Sequence, residues 1–153
     1  MRISIRGKNN KLTRNEIRYI ISFISNILLG KRIDRHIRVV VQNEEMKKYE
    51  WGYCGPTDYE SKNHRSFKII LNSKASKKCQ ILTLIHEMVH LKQYARNELK
   101  DFNSEICLWL NRQVKISKIE YLDLPWEKEA HSSEKILYSL YMKDVKQCRI
   151  TRN

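Results

Sequence analysis

Between Thr13 and Gly30 the apolar residues fall three and four positions apart: Ile17, Ile20, Ile21, Ile24, Ile27 and Leu28. That spacing places them on one face of an α-helix. Thr13 with Glu16 three residues later reads as a capping box, in which each side chain satisfies a backbone N–H of the other. Gly30 supplies the stop, so the pattern predicts a helix over about 13–29.

The period then changes. HIRVVVQ (36–42) is a β-branched run typical of a strand. YEWGYCGPTDYE carries aromatics and then a Gly-Pro turn, which predicts a strand and a loop. RSFKIILNS (65–73) alternates Phe67, Ile69 and Leu71 against Ser66, Lys68 and Ile70 and predicts another strand. Ser73 or Ser76 can cap a helix over about 77–97. Residues 105–117 fit strand, turn near Asn111-Arg112, strand, although a helix is an alternative. Pro125 suits the first turn of a last helix, where its missing N–H costs nothing. Ala130, Ile136, Leu137, Leu140 and Tyr141 form its apolar stripe. A basic tail over about 146–153 is expected to fray. Together these elements predict one α+β domain over 1–153: an N-terminal helix, a small mixed sheet, a long helix and a C-terminal helix.

Composition adds charge to this picture. Hydrophobic residues make up 41% of the 153, enough for a core, while Lys and Arg outnumber Asp and Glu by 30 to 17. A net charge of +13 attracts polyanions, so weak, non-specific contact with nucleic acid is one expected partnership. Abundant Lys, Ile and Asn would equally arise from a biased genome composition. Cys54, Cys79, Cys107 and Cys148 are far apart and form no C-x-x-C pair, which excludes a zinc ribbon. The N-terminus, MRISIRGKNNKL, lacks the apolar run of a signal peptide, and no apolar stretch is long enough for a membrane span. The expectation is a cytoplasmic monomer with reduced thiols and no membrane partner.

The predicted helix over 77–97 carries an unusual polar group inside an apolar run: His86-Glu87-Met88-Val89-His90. Histidines four apart lie on one face, about one turn or ~6 Å apart, and two imidazoles at that spacing can hold one Zn²⁺. Glu87 is rotated by about 100° from His86 and points beside the ion, where a carboxylate can take a proton from a water. Leu82, Ile85, Met88 and Val89 supply the core-facing side, while Thr83, Gln93 and Asn97 share the histidine face and predict a polar cleft.

Catalytic zinc takes three protein ligands and leaves one position open. The extended pattern H-E-x-x-H-x-x-G-x-x-H is absent, because Gln93 and Arg96 occupy its Gly and His positions. A later carboxylate is needed. Pro125-Trp126-Glu127-Lys128-Glu129-Ala130-His131 offers Glu127 and Glu129, which face different sides of the helix. Glu127 is favoured, since it shares a face with small Ala130, which permits close helix approach. His131 can orient a ligand or serve as an additional one.

With His86–Tyr94, Glu98-Leu99-Lys100 and Tyr121–Ala130 in view, the chain resembles the small zincin metallopeptidase-like proteins of phages and bacteria, relatives of the gluzincin and SprT-like groups. The resemblance covers about 77–142. In gluzincins the third ligand opens an E-x-x-x-D or E-x-x-A-D pattern; here Glu127-Lys128-Glu129-Ala130-His131 fits, with His131 replacing the Asp. The resemblance implies a zincin-like fold, Zn²⁺ on His86, His90 and Glu127, and Glu87 as general base and then acid. It also implies hydrolysis of a peptide or protein, with strand 65–72 as the sheet edge to which an extended peptide adds. Tyr121, Tyr94 and Tyr59 are candidates for steadying the oxyanion. The alternative is a basic nucleic-acid-binding protein whose zinc site is structural or vestigial, and a protease acting on DNA-bound proteins would combine the two.

Overall fold

The computed structural model describes residues 1–9, 11–47, 50–101, 103 and 105–150. Strand β1 (Arg2–Arg6) leads into helix α1 (Arg14–Leu28), a short helix α2 (Gly30–Asp34) and strand β2 (Arg38–Glu44). Strands β3 (Gly52–Pro56) and β4 (Ser66–Asn72) precede helix α3 (Lys77–Ala95). A small second sheet follows, β5 (Leu99–Asp101), β6 (Ile106–Trp109) and β7 (Arg112–Lys115), and helix α4 (Pro125–Ile150) closes the described chain. Mixed α+β architecture is therefore as expected, but the domain begins with a strand and not with a helix.

Thr13 caps α1 as its sequence predicts: the Glu16 amide donates to Thr13 Oγ1 at 3.2 Å, and the Thr13 amide donates to Glu16 Oε2 at 2.8 Å. Gly30 follows with φ +70, a left-handed conformation that ends α1 and favours glycine. Ile17, Ile20, Ile21 and Ile24 of the isoleucine face are fully enclosed, whereas Ile27 near the helix end is exposed. The face packs against α3 across the sheet's inner surface.

The first sheet has the order β1-β2-β4-β3. β1, β2 and β4 run parallel, while β3 pairs antiparallel with β4. Val39, Val41, Phe67, Ile69 and Leu71 point inward into the core. The predicted edge strand 65–72 is thus an interior strand, because β3 covers its free side. The sheet edges are β1 and β3.

The chain 105–117 resolves as the strand-turn-strand alternative. Trp109 pairs with Arg112, and Leu110 and Asn111 between them both take positive φ, 50 and 64, the geometry of a tight hairpin whose twist suits its strands. Ser76, not Ser73, caps α3, accepting from the Cys79 amide at 3.2 Å. That helix ends at Ala95 and Asn97 lies beyond it with φ 59, so Asn97 leaves the histidine face. Residues 146–150 of the expected frayed tail continue α4, and 151–153 lie outside the described residues. No helix of the described residues is long and apolar enough to cross a membrane.

Candidate metal centre

Helix α3 is buried almost all round, since the sheet, α1 and α4 each cover a side. Its apolar residues, Leu84, Ile85, Met88 and Val89, explain why it sits there. Leu82 is the exception to the expected core face, being half-buried in the wall of a cleft. Burial leaves His86, Glu87 and His90 in a low-polarity setting in which each polar atom needs a partner.

Helix α4 delivers the third member. Trp126 anchors its first turn in a second small core with Leu99, Cys107 and Leu124. Ala130 is fully buried against α3, which permits the close approach its size predicts. Glu127, between them, enters the space before the two histidines. His86 Nε2 lies 3.3 Å from Glu127 Oε2, His90 Nε2 lies 3.4 Å from Glu127 Oε1, and the two Nε2 atoms are 3.1 Å apart. These ligand atoms all lie within 4.8 Å of one another, a grouping that could hold a metal ion.

Three observations show that the donors fit a cation. Glu127 Oε2 is buried and accepts no hydrogen bond, a costly state for a carboxylate oxygen. His90 Nδ1 faces Gln93 Oε1 at 2.8 Å; an amide oxygen only accepts, so Nδ1 carries the proton and Nε2 offers its lone pair. His86 Nδ1 faces Glu134 Oε2 at 3.3 Å, with the same consequence for its Nε2. Two lone pairs aimed at each other across a carboxylate are repulsive until a positive charge lies between them.

Glu129 is turned away, as its helical position predicts. It accepts from Lys92 Nζ at 2.6 Å and from Gln93 Nε2 at 2.8 Å. Gln93 thereby ties His90, Glu129 and the Trp126 carbonyl, 3.0 Å away, into one network joining α3 to α4. Thr83 and Gln93 are buried, so the polar histidine face meets protein partners as well as the cleft.

His131 stands beside His86, ring centroids 4.7 Å apart; it lies outside the His86–His90–Glu127 group, but with His86 and Glu134 it forms a second group that could hold a metal ion. The carboxylate that faces His86 Nδ1 is Glu134, which the sequence reading did not single out. Its spacing held the signal: 127, 131 and 134 follow the i, i+4, i+7 rule and share one helix face.

Electrostatics separate the two site carboxylates. Burial raises Glu87 to about 7; the nearby histidines oppose that shift and Glu127 adds to it. Burial alone would also raise Glu127, but contacts with His86 and His90 outweigh it and bring it down to about 2. Burial and the neighbouring imidazoles thus push the two carboxylates in opposite directions. For His90, burial works downward, and Glu127 and Glu87 reverse the direction to a net rise.

The cleft before this group has a volume of about 610 Å³. Its walls include Glu50, Trp51 and Gly52 from the edge strand β3 and the residues before it, with Tyr121, Leu122 and Glu134 opposite. Gly52 is a cleft position that sequence reasoning missed. A Cβ there would overlap Thr83 Cγ2 and lie 3.0 Å from Glu87 Oε1. The edge strand touches α3 so closely that no side chain fits between them.

Of the three tyrosines, Tyr121 lies nearest Glu127 and lines the cleft; burial and the Glu127 charge both push its hydroxyl pKa up. Tyr94 lies on the far side of His90, with its hydroxyl 3.3 Å from Asp101 Oδ1. Tyr59 is 78% exposed in the loop after β3, outside the cleft lining. Comparison with known proteins adds no relative to this picture: no family model, curated protein or solved structure matches the chain.

Proposed function

We propose that this chain is a zinc-dependent endopeptidase of the zincin type, with His86, His90 and Glu127 as ligands and Glu87 as general base and then acid. The observation that carries this reading is the convergence of His86 Nε2, His90 Nε2 and the unsatisfied Glu127 Oε2 within one cleft wall, with Glu87 beside them. Two imidazoles and a carboxylate with one position left open are a ligand set that catalytic zinc uses, and when bound it would supply Lewis acidity that polarises a carbonyl and acidifies water.

The chain's own residues do the rest. Glu87 accepts a proton at its carboxylate from the attacking water and returns it to the departing amine nitrogen. Gln93 and Glu134 fix the Nδ1–H tautomers of His90 and His86. Tyr121, at the cleft wall, is the hydroxyl best placed to donate to the developing oxyanion. β3 offers the free strand edge beside the cleft, so an extended peptide would add there, antiparallel or parallel, through backbone hydrogen bonds.

A purely structural zinc site is less well supported. Such sites are four-coordinate and closed. The group here has three members and opens on a cleft that would admit several peptide residues.

The test is metal content of the purified protein beside cleavage of an unbiased peptide library. About one equivalent of zinc, lost in His86→Ala together with cleavage, is the expected result. A wild type that holds zinc and cleaves nothing, alone or with nucleic acid present, would overturn the peptidase reading and leave the metal group as structural.

A further inference from the structure

The helices cover one face of the first sheet and leave the other open. On β1 the outward residues are Arg2, Ser4 and Arg6, all exposed. On β2 they are Arg38, Val40, Gln42 and Glu44, and on β4 Ser66, Lys68 and Ile70. Arg2 and Arg38 are register partners on adjacent strands, and Lys68 pairs with Val40 two residues further along. Glu44 is the acid among these positions, and it lies 3.8 Å from Lys68 Nζ. Arg2, Arg6 and Arg38 have no ion pair among the described residues.

We infer that this open face, centred on Arg2, Arg6 and Arg38, binds the phosphate backbone of nucleic acid without reading its sequence. Neighbouring strands lie about 4.8 Å apart and residues rise about 3.3 Å each, so Arg2 and Arg38 sit side by side and Arg6 about 13 Å along. That span matches roughly three to four phosphates of one duplex strand. Ser4 stands between Arg2 and Arg6 with Val40 beside it, and Gln42 stands beside Arg6; the Ser4 hydroxyl and Gln42 amide can hydrogen-bond phosphate and sugar oxygens. No aromatic ring stands outward on β1 or β2 to stack on a base, and the exposed ring on this face, Tyr53, stands on β3 at the opposite edge, which argues for backbone contact at the arginines. A lipid surface is a poorer fit, because these two strands offer no large apolar side chain to insert.

Position separates this surface from the metal group. The cleft belongs to α3, α4 and the β3 edge on the inner side of the sheet, whereas the arginines lie on β1 and β2 at the opposite edge and outer side. Nucleic acid held there leaves the cleft open. The inference is independent of the reaction at the metal group.

The test is fluorescence anisotropy with a short labelled duplex over a salt series. Neutralising about three phosphates predicts a slope near −3 in log affinity against log salt. Arg2→Gln/Arg6→Gln/Arg38→Gln is compared with Arg18→Gln/Lys135→Gln/Lys143→Gln, which removes the same charge from exposed sites on α1 and α4. The expected result is at least about tenfold weaker binding and a slope near zero for the first variant, with little change for the second. Thermal melts establish folding, and Arg38→Gln alone, expected to lose about one unit of slope, serves if the triple variant is unfolded. Equal losses in both triple variants, no binding by wild type at low salt, or tighter binding to phosphatidylserine vesicles or an acidic polypeptide than to the duplex would each overturn the inference.

Discussion

His86 Nδ1 and Glu134 Oε2 face each other at 3.3 Å, although Glu134 stands two helical turns beyond Glu127. The carboxylate fixes which nitrogen of His86 is protonated and raises the basicity of the other. Glu134→Ala should weaken zinc affinity by about 10–100-fold while Glu134→Gln, which retains an acceptor oxygen, loses less. Competition with a fluorescent chelator measures both. Equal affinity in wild type and Glu134→Ala would show that His86 needs no such partner.

Glu127 and Glu129 should separate cleanly. Glu127→Ala removes a ligand and should abolish stoichiometric zinc with little loss of fold. Glu129→Ala should keep zinc but cost about 1–3 kcal/mol, because Lys92 and Gln93 each lose a partner inside the α3–α4 contact. Mass spectrometry under native conditions and urea unfolding read the two effects. The reverse assignment would follow if Glu129→Ala lost the metal.

Glu87→Gln tests the chemistry. The amide has nearly the same shape but cannot take a proton at neutral pH, so cleavage should fall by about 10²–10⁴ with zinc retained. Unchanged turnover in the loaded variant would remove Glu87 from the mechanism.

Gly52→Ala probes the contact between the strand edge and the proton carrier. The added methyl overlaps Thr83 Cγ2 and crowds Glu87 Oε1. Overpacking of this kind costs about 1–3 kcal/mol, and displacement of Glu87 should lower turnover more than metal content. Gly52→Ala/Thr83→Ala relieves the first clash, so partial recovery of stability is expected. Wild-type melting in the single variant would mean that β3 can move away from α3 freely.

Asp58 provides a pH test away from the His86–His90–Glu127 group. Its carboxylate accepts the amides of Arg65 at 2.8 Å and Ser66 at 3.2 Å and faces His64 Nδ1 at 3.1 Å. Burial works to raise its pKa, but these donors outweigh it and hold it below the ordinary 3.8. A depressed folded pKa means that the unfolded chain binds the proton more readily. The stabilisation is therefore full above the ordinary aspartate range and disappears as pH falls through the lowered folded value. Asp58→Asn should cost about 1 kcal/mol at neutral pH and flatten the acid limb of stability against pH. Urea unfolding across that range decides it, and an unaltered acid limb would count against the loop assignment.

The sequence by itself determined the elements whose causes are local. The capping box of Thr13 and Glu16, the isoleucine stripe of α1, the β-branched run of β2 and the Pro125 start of α4 each act within a few residues, so each is legible in the chain. The same holds for His86, Glu87 and His90, because a helix converts a spacing of four into a shared face. Ala130 and the opposed faces of Glu127 and Glu129 followed from helical geometry as well. Tertiary structure alone decided what depends on distant partners. β1 is five alternating residues whose strand exists through pairing with β2, and β5 is three residues held by β6, too short to leave a pattern. Which strand lies at the edge was also out of reach: Ser66–Asn72 reads as a strand in either position, and only the return of β3 along its free side places it inside. Gly52 and Glu134 belong to the same class. A glycine gives no sign of which helix will press against it, and a surface-type glutamate gives no sign of which imidazole it will face, until α3, α4 and the sheet are packed together.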